Sequence, residues 1–113
     1  MKHFRGDIRF LKVLNTMKKI HSLKSYDYGF QDPLANLRLC ENCGIPAWVG
    51  VIVRLSDKLA RLYSFCKKKK LKNESVRDTF LDIANYAILG LILYEESIQK
   101  DNTRSSRNTT KNI

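Results

Sequence analysis

The stretch "VRLSDKLARLYSFCKKKKLKNESVRDTFLDIANYAILGLILYEE", Val53 to Glu96, decides the fold. Its first part continues a helix that begins near Pro46. In it Trp48, Val51, Ile52, Leu55, Leu59 and Leu62 form an apolar stripe, and Arg54, Asp57, Lys58 and Arg61 recur at intervals of three or four on another face. The run "KKKKLK", Lys67 to Lys72, reads as a solvated loop that suits the negative end of a helix dipole. "NESVRD" then opens a further helix, with Asn73 or Ser75 as its cap and Glu74 and Asp78 in or near its first turns. After Phe80 this last helix is apolar nearly all round, from Leu81 through Leu93. Such a helix must be enclosed by others.

Two more helices are expected upstream. One runs from about Asp7 to Tyr26, with Ile8, Leu11, Ile20 and Leu23 at mostly helical spacing among Lys12, Lys18, Lys19 and Lys24, and stops at "DYGFQDP". A short one follows the Asp32-Pro33 pair, a cap and first-turn combination, and ends at Gly44. The expected fold is therefore all-α, a small bundle of about four helices. Three helices are few to surround the fourth, so a second copy of the chain is expected to complete the bundle as a homo-oligomer. The expected organisation is one helical domain over residues 1–100 and a polar tail over 101–113, disordered by composition.

The chain of 113 residues carries a net charge of +10. The last 13 residues contribute three basic groups and one acidic group, so the excess belongs to the folded body, where it favours polyanions such as nucleic acid, free nucleotides or an anionic membrane. The longest apolar run, "YAILGLILY", is too short to span a bilayer, and the N-terminus has no secretory h-region, so a cytoplasmic protein with no membrane partner is expected. Cys40, Cys43 and Cys66 supply one Cys-x-x-Cys and no second pair, which reads as reduced thiols rather than a zinc site. A duplex-DNA reader would need a recognition helix rich in Arg, Asn or Gln, and none is visible, so duplex DNA is not an expected partner. No nucleophilic triad and no phosphate-cradling glycine loop is visible either.

The acids raise the sharper question. Asp78, Asp82 and Asn85 stand at i, i+4 and i+7, so they share a face with Glu74 one turn earlier, inside an otherwise apolar helix. A carboxylate placed there needs cations, hydrogen bonds or a metal. Three readings follow. Asp78 and Asp82 pair with Arg54 and Arg61 between the helices; or Asp57, Asp78 and Asp82 hold Mg²⁺ against a nucleotide phosphate; or the acids position Arg54, Lys58 and Arg61, which grip phosphate directly. Tyr28 and Phe30, beside Gly29, are the expected stacking partners for a base, while Trp48 reads as core.

The ordered set "DYG" (Asp27 to Gly29), "DPLANLR" (Asp32 to Arg38), "GIPAWVGVIVRLSDKLARL" (Gly44 to Leu62) and "NESVRDTFLDIANYAILGLILYEE" (Asn73 to Glu96) resembles the nucleotide-modification-associated family of small helical proteins common in bacteriophages. The resemblance spans about Tyr26 to Glu96. It implies an all-helical fold, a phage source, residence in the host cytoplasm and a link to nucleotides. A more distant likeness is to MazG-like all-α nucleoside triphosphate pyrophosphohydrolases, which hold Mg²⁺ between two carboxylate pairs. Here Arg54 stands where one carboxylate would be, and Asp78 and Asp82 are spaced four apart instead of three. The expected function is accordingly binding or sequestration of a phosphorylated, or cyclic, nucleotide signal to counter host defence, with no cofactor. The alternative is Mg²⁺-dependent pyrophosphohydrolysis through Asp57, Asp78 and Asp82.

Overall fold

The structure, a computed structural model of the chain, describes residues 3–28, 32–70 and 75–111, with side chains in 3–24, 32–70 and 75–105. Their regular elements are α1 (Ile8–Tyr28), a 3₁₀ helix (Ala35–Cys43), α2 (Ala47–Lys68) and α3 (Val76–Lys111), with no strand among the described residues. The fold is all-α, as the periodicity implies. The chain separates into two compact units, Met1–Asn36 and Leu37–Ile113.

In the first unit Asp7 starts α1: its Oδ1 accepts the Arg9 backbone N–H at 2.8 Å, and its carboxylate also accepts the Arg9 guanidinium. These contacts, the side-chain one foremost, hold the Asp7 carboxyl below the usual carboxylate range. Because the folded-state pKa is lowered, the cap is at full strength above the ordinary carboxylate range and is lost as pH falls through the lowered value. Lysines interrupt the apolar spacing of α1, so no continuous stripe forms. Met17 is buried, whereas Ile8, Phe10 and Leu23 are exposed. Tyr28 is the last residue of α1, not a loop residue as its neighbouring glycine suggests.

The segment after Asp32 turns tightly. Asp32 Oδ1 accepts the Leu34 N–H at 3.0 Å, as expected of a cap, but the nine residues that follow wind as a 3₁₀ helix, not an α-helix. Gly44 ends it at φ +80°, a left-handed position that glycine takes without the Cβ penalty, and the Ile45 N–H reaches back to the Cys40 carbonyl.

The second unit is built on the α2–α3 hairpin. Pro46 opens α2, and Lys69 closes it in the left-handed region at φ 61°, its N–H donating to the Phe65 carbonyl at 2.7 Å. Lys67 and Lys68 therefore lie in the last turn of α2, not in a loop. Replacing Lys69 with Gly should remove a side-chain strain that outweighs the added freedom of the unfolded chain. We expect stability to rise by about 0.5–1 kcal/mol, read as a higher urea midpoint at unchanged slope. Ser75 caps α3 by accepting the Asp78 N–H on its Oγ at 3.0 Å.

Opposed residues fix the hairpin as antiparallel. Moving down α2 and up α3, Lys58 meets Asp82, Val51 meets Gly90 and Trp48 meets Tyr94. At Gly90 the helices come so close that an added Cβ would stand 3.1 Å from Val51 Cγ1. The core of this unit is small: Leu37, Ala47, Val51, Leu81, Leu89 and Leu93, with the fully buried Thr79 returning its hydroxyl to the Ser75 carbonyl. α3 has 36 residues against the 22 of α2, so it extends about 54 Å and overshoots its partner. Its helix continues through Lys111, so most of the polar stretch after residue 100 is carried on α3. A polar composition does not forbid a helix whose preceding turns are already formed, since propagation adds one hydrogen bond per residue fixed.

Candidate functional site

The polar strips of α2 and α3 come into register across the hairpin. Lys58 Nζ lies 2.8 Å from Asp82 Oδ2, with the two side chains only 16% and 22% exposed. One helical turn toward the loop, the antiparallel register sets Arg61 level with Asp78; one turn the other way, it sets Arg54 level with Asn85. Asn85 is half-buried, whereas Arg54, Asp57, Arg61 and Asp78 are exposed.

This arrangement bears on two expectations. Lys58 is a cation on Asp82, and of Arg54, Lys58 and Arg61 it alone lies toward the buried stripe headed by Val51. Asp57 is exposed on the flank of α2, and among the described residues no three His, Cys, Asp or Glu side chains gather as a metal-holding group. Asp57, Asp78 and Asp82 thus do not form one carboxylate cluster within the chain. Phe30, Asn73 and Glu74 lie outside the described residues, as does the side chain of Tyr28. Cys40 is half-buried and Cys43 and Cys66 are exposed, all as free thiols.

Other features went unread in the sequence. Arg38 of the 3₁₀ helix grips Glu96 of α3 in a two-point ion pair, Nη1 to Oε2 at 2.8 Å and Nη2 to Oε1 at 3.3 Å. Nothing in a single Arg and a single Glu so far apart in the chain signals that pairing. Trp48 is half-buried and stands edge-on to Tyr94, with ring centroids 5.3 Å apart. Beside that pair runs an open groove of ≈ 800 Å³, lined among others by Ile45, Trp48, Tyr94, Ile98, Lys100 and Arg104.

The whole of α2 and α3 up to its last buried leucine also carry a likeness to known sequences. Residues 46–93 match the family described as nucleotide modification associated domain 1. Both polar strips lie inside the matched residues. The stretches "DYG" and "DPLANLR" lie outside it, so the match is shorter than the resemblance expected from Tyr26 to Glu96. No curated protein gives a significant match, and neither does any solved structure. The likeness to MazG-like pyrophosphohydrolases has no match of its own. No helix among the described residues is long and apolar enough to cross a membrane.

Proposed function

We propose that the α2–α3 hairpin binds a phosphorylated nucleotide along its polar strip and holds it without hydrolysing it. The observation that carries this reading is the Lys58–Asp82 pair at 2.8 Å inside the nucleotide-modification-associated segment. A metal-dependent hydrolase needs its carboxylates turned to a divalent cation. Here an ammonium occupies Asp82, and like charge opposes a second cation beside it. Arg54 and Arg61 flank that pair by one turn on either side, on the exposed part of the strip, where two guanidiniums can each take a phosphate by paired hydrogen bonds. Asp78, Asp82 and Asn85 then serve to orient the cations. The net charge of +10 draws an anionic ligand in. The reading extends to sequestration: a protein that binds a nucleotide signal, linear or cyclic, and returns it unchanged would blunt a host defence that depends on that signal.

The test incubates the protein with a panel of nucleoside triphosphates and cyclic dinucleotides, with and without Mg²⁺, and analyses free and heat-released nucleotide by chromatography. Depletion of a ligand in EDTA, with intact recovery after heating, is the expected result. Arg54→Ala combined with Arg61→Ala should weaken that binding by at least about 30-fold while helicity is kept, since each lost charged hydrogen bond costs roughly 1.5–3 kcal/mol. Monophosphate and pyrophosphate that form only with Mg²⁺ and vanish in Asp78→Asn would replace the reading with pyrophosphohydrolysis. Steeply salt-dependent binding of duplex DNA, with no response to mononucleotides, would sink both.

A further inference from the structure

One face of α3 is apolar and lies beside the face packed on α2, with Tyr94 at its edge against Trp48. Phe80, Ala84, Ala87, Leu91, Tyr94 and Ile98 follow one another at steps of four, three, four, three and four residues, the spacing of a coiled-coil seam. Phe80 is 58% exposed, Leu91 56%, Tyr94 44% and Ile98 40%. The buried residues Thr79, Leu89 and Leu93 lie off this seam, about 100° to 180° around the helix from it. The next seam position at the N-terminal end is Arg77 and at the C-terminal end Asp101, both exposed.

We propose that this seam pairs with the same seam of a second copy, antiparallel, about a twofold axis that crosses the seam at the level of residue 89. The argument lies in what that axis brings together. Phe80 meets Ile98 of the second copy, Ala84 meets Tyr94, Ala87 meets Leu91 and Arg77 meets Asp101. Each alanine is thus opposite a large side chain, which lets the layers interdigitate, and each terminal charge is opposite its complement. A parallel pairing would instead set Arg77 on Arg77 and Asp101 on Asp101, where like charges repel.

The area is sufficient. With the flanking Ile88 (45% exposed) and Ile92 (42%), the seam offers roughly 600 Å² per chain, so a symmetric pair that covers it fully buries about 1,200 Å², the lower bound of a specific interface. Ile98 and Tyr94 also line the groove beside Trp48, so Phe80 of the second copy, opposite Ile98, enters the rim of that groove. Two hairpins joined in this way make a four-helix bundle with α3 and its copy at the centre. The inference stands independently of the nucleotide reading.

The test is the mass of the full chain in solution by light scattering and sedimentation equilibrium across micromolar concentrations. Twice 13.1 kDa is expected. Leu91→Glu should weaken association by at least about 100-fold at unchanged helicity, because the residue is exposed in the single chain and buried only in the pair. Arg77→Asp should weaken it about tenfold by facing Asp101 with a like charge, and adding Asp101→Arg in the same chain should restore it. A monomer at every concentration overturns the proposal. So does a dimer indifferent to Leu91→Glu, and a charge swap that fails to restore association overturns the antiparallel register.

Discussion

Gly90→Leu should lower the stability of the protein by about 2 kcal/mol, a large part of what a small domain has to lose. Two opposing effects set the figure. Leucine forms helix better than glycine by about 1 kcal/mol, so at an open position the change would stabilise α3. At residue 90 the first added carbon already stands 3.1 Å from Val51 Cγ1, and Val51 is 1% exposed with nowhere to turn. The rest of the leucine then forces α2 and α3 apart along their line of closest approach, opening the contacts of Val51, Leu89 and Leu93 together. Urea denaturation followed by helicity measures the effect. Its origin is tested by Val51→Ala in the same chain, which by itself costs stability but here makes room. A coupling of at least about 1 kcal/mol between the two sites is expected, and additivity would show that the glycine is not there for close approach.

Asp82→Ala should cost about 2 kcal/mol, by a different route. It removes no core volume of consequence. It takes from Lys58 a carboxylate at 2.8 Å in a setting where the ammonium is only 16% exposed. The penalty for breaking a fully buried pair is about 3–5 kcal/mol, and the residual access of water to both groups scales it down. Replacing both at once, Lys58→Met with Asp82→Leu, should return stability to near its starting value, because apolar groups of similar size fill the same space with no charge to solvate. Chemical denaturation of the two variants separates stability from function. The double variant should stay folded and yet bind nucleotide poorly, having lost the group that orients the flanking arginines. Undiminished binding would remove the pair from the proposed site.

The sequence reveals the hairpin because α2 and the first half of α3 carry strong periodicity bounded by unambiguous signals: Gly44 and Pro46 on one side, the lysine run and Ser75 on the other. It is less informative where a local pattern has two solutions. Residues 35–43 contain helix formers and follow a capping aspartate, Asp32, and these are equally satisfied by the tighter 3₁₀ winding that places Arg38 against Glu96. The face shared by Asp78, Asp82 and Asn85 follows from spacing alone. The Lys58–Asp82 contact does not, since Arg54, Lys58 and Arg61 are all within one turn of Asp82 and the depth of each depends on how α2 is rotated about its axis. That rotation is set by Val51 packing on Gly90, a contact between two residues with no chemistry to advertise it.

The contacts of the hairpin are nested one inside another, and this bears on the order in which they form. Lys58 and Asp82 close the shortest loop, Val51 and Gly90 the next, Trp48 and Tyr94 the next, and Arg38 and Glu96 the longest. Once an inner pair has met, the entropy of closing the next outward is only that of a few additional residues. The chain therefore zips from the lysine-rich turn outward, each step short, in the manner of proteins dominated by local contacts, which fold in microseconds to milliseconds. Substitutions near the turn will slow folding, and those at Arg38 or Glu96 will chiefly hasten unfolding. The 3₁₀ helix is then the last piece to dock and the first to leave.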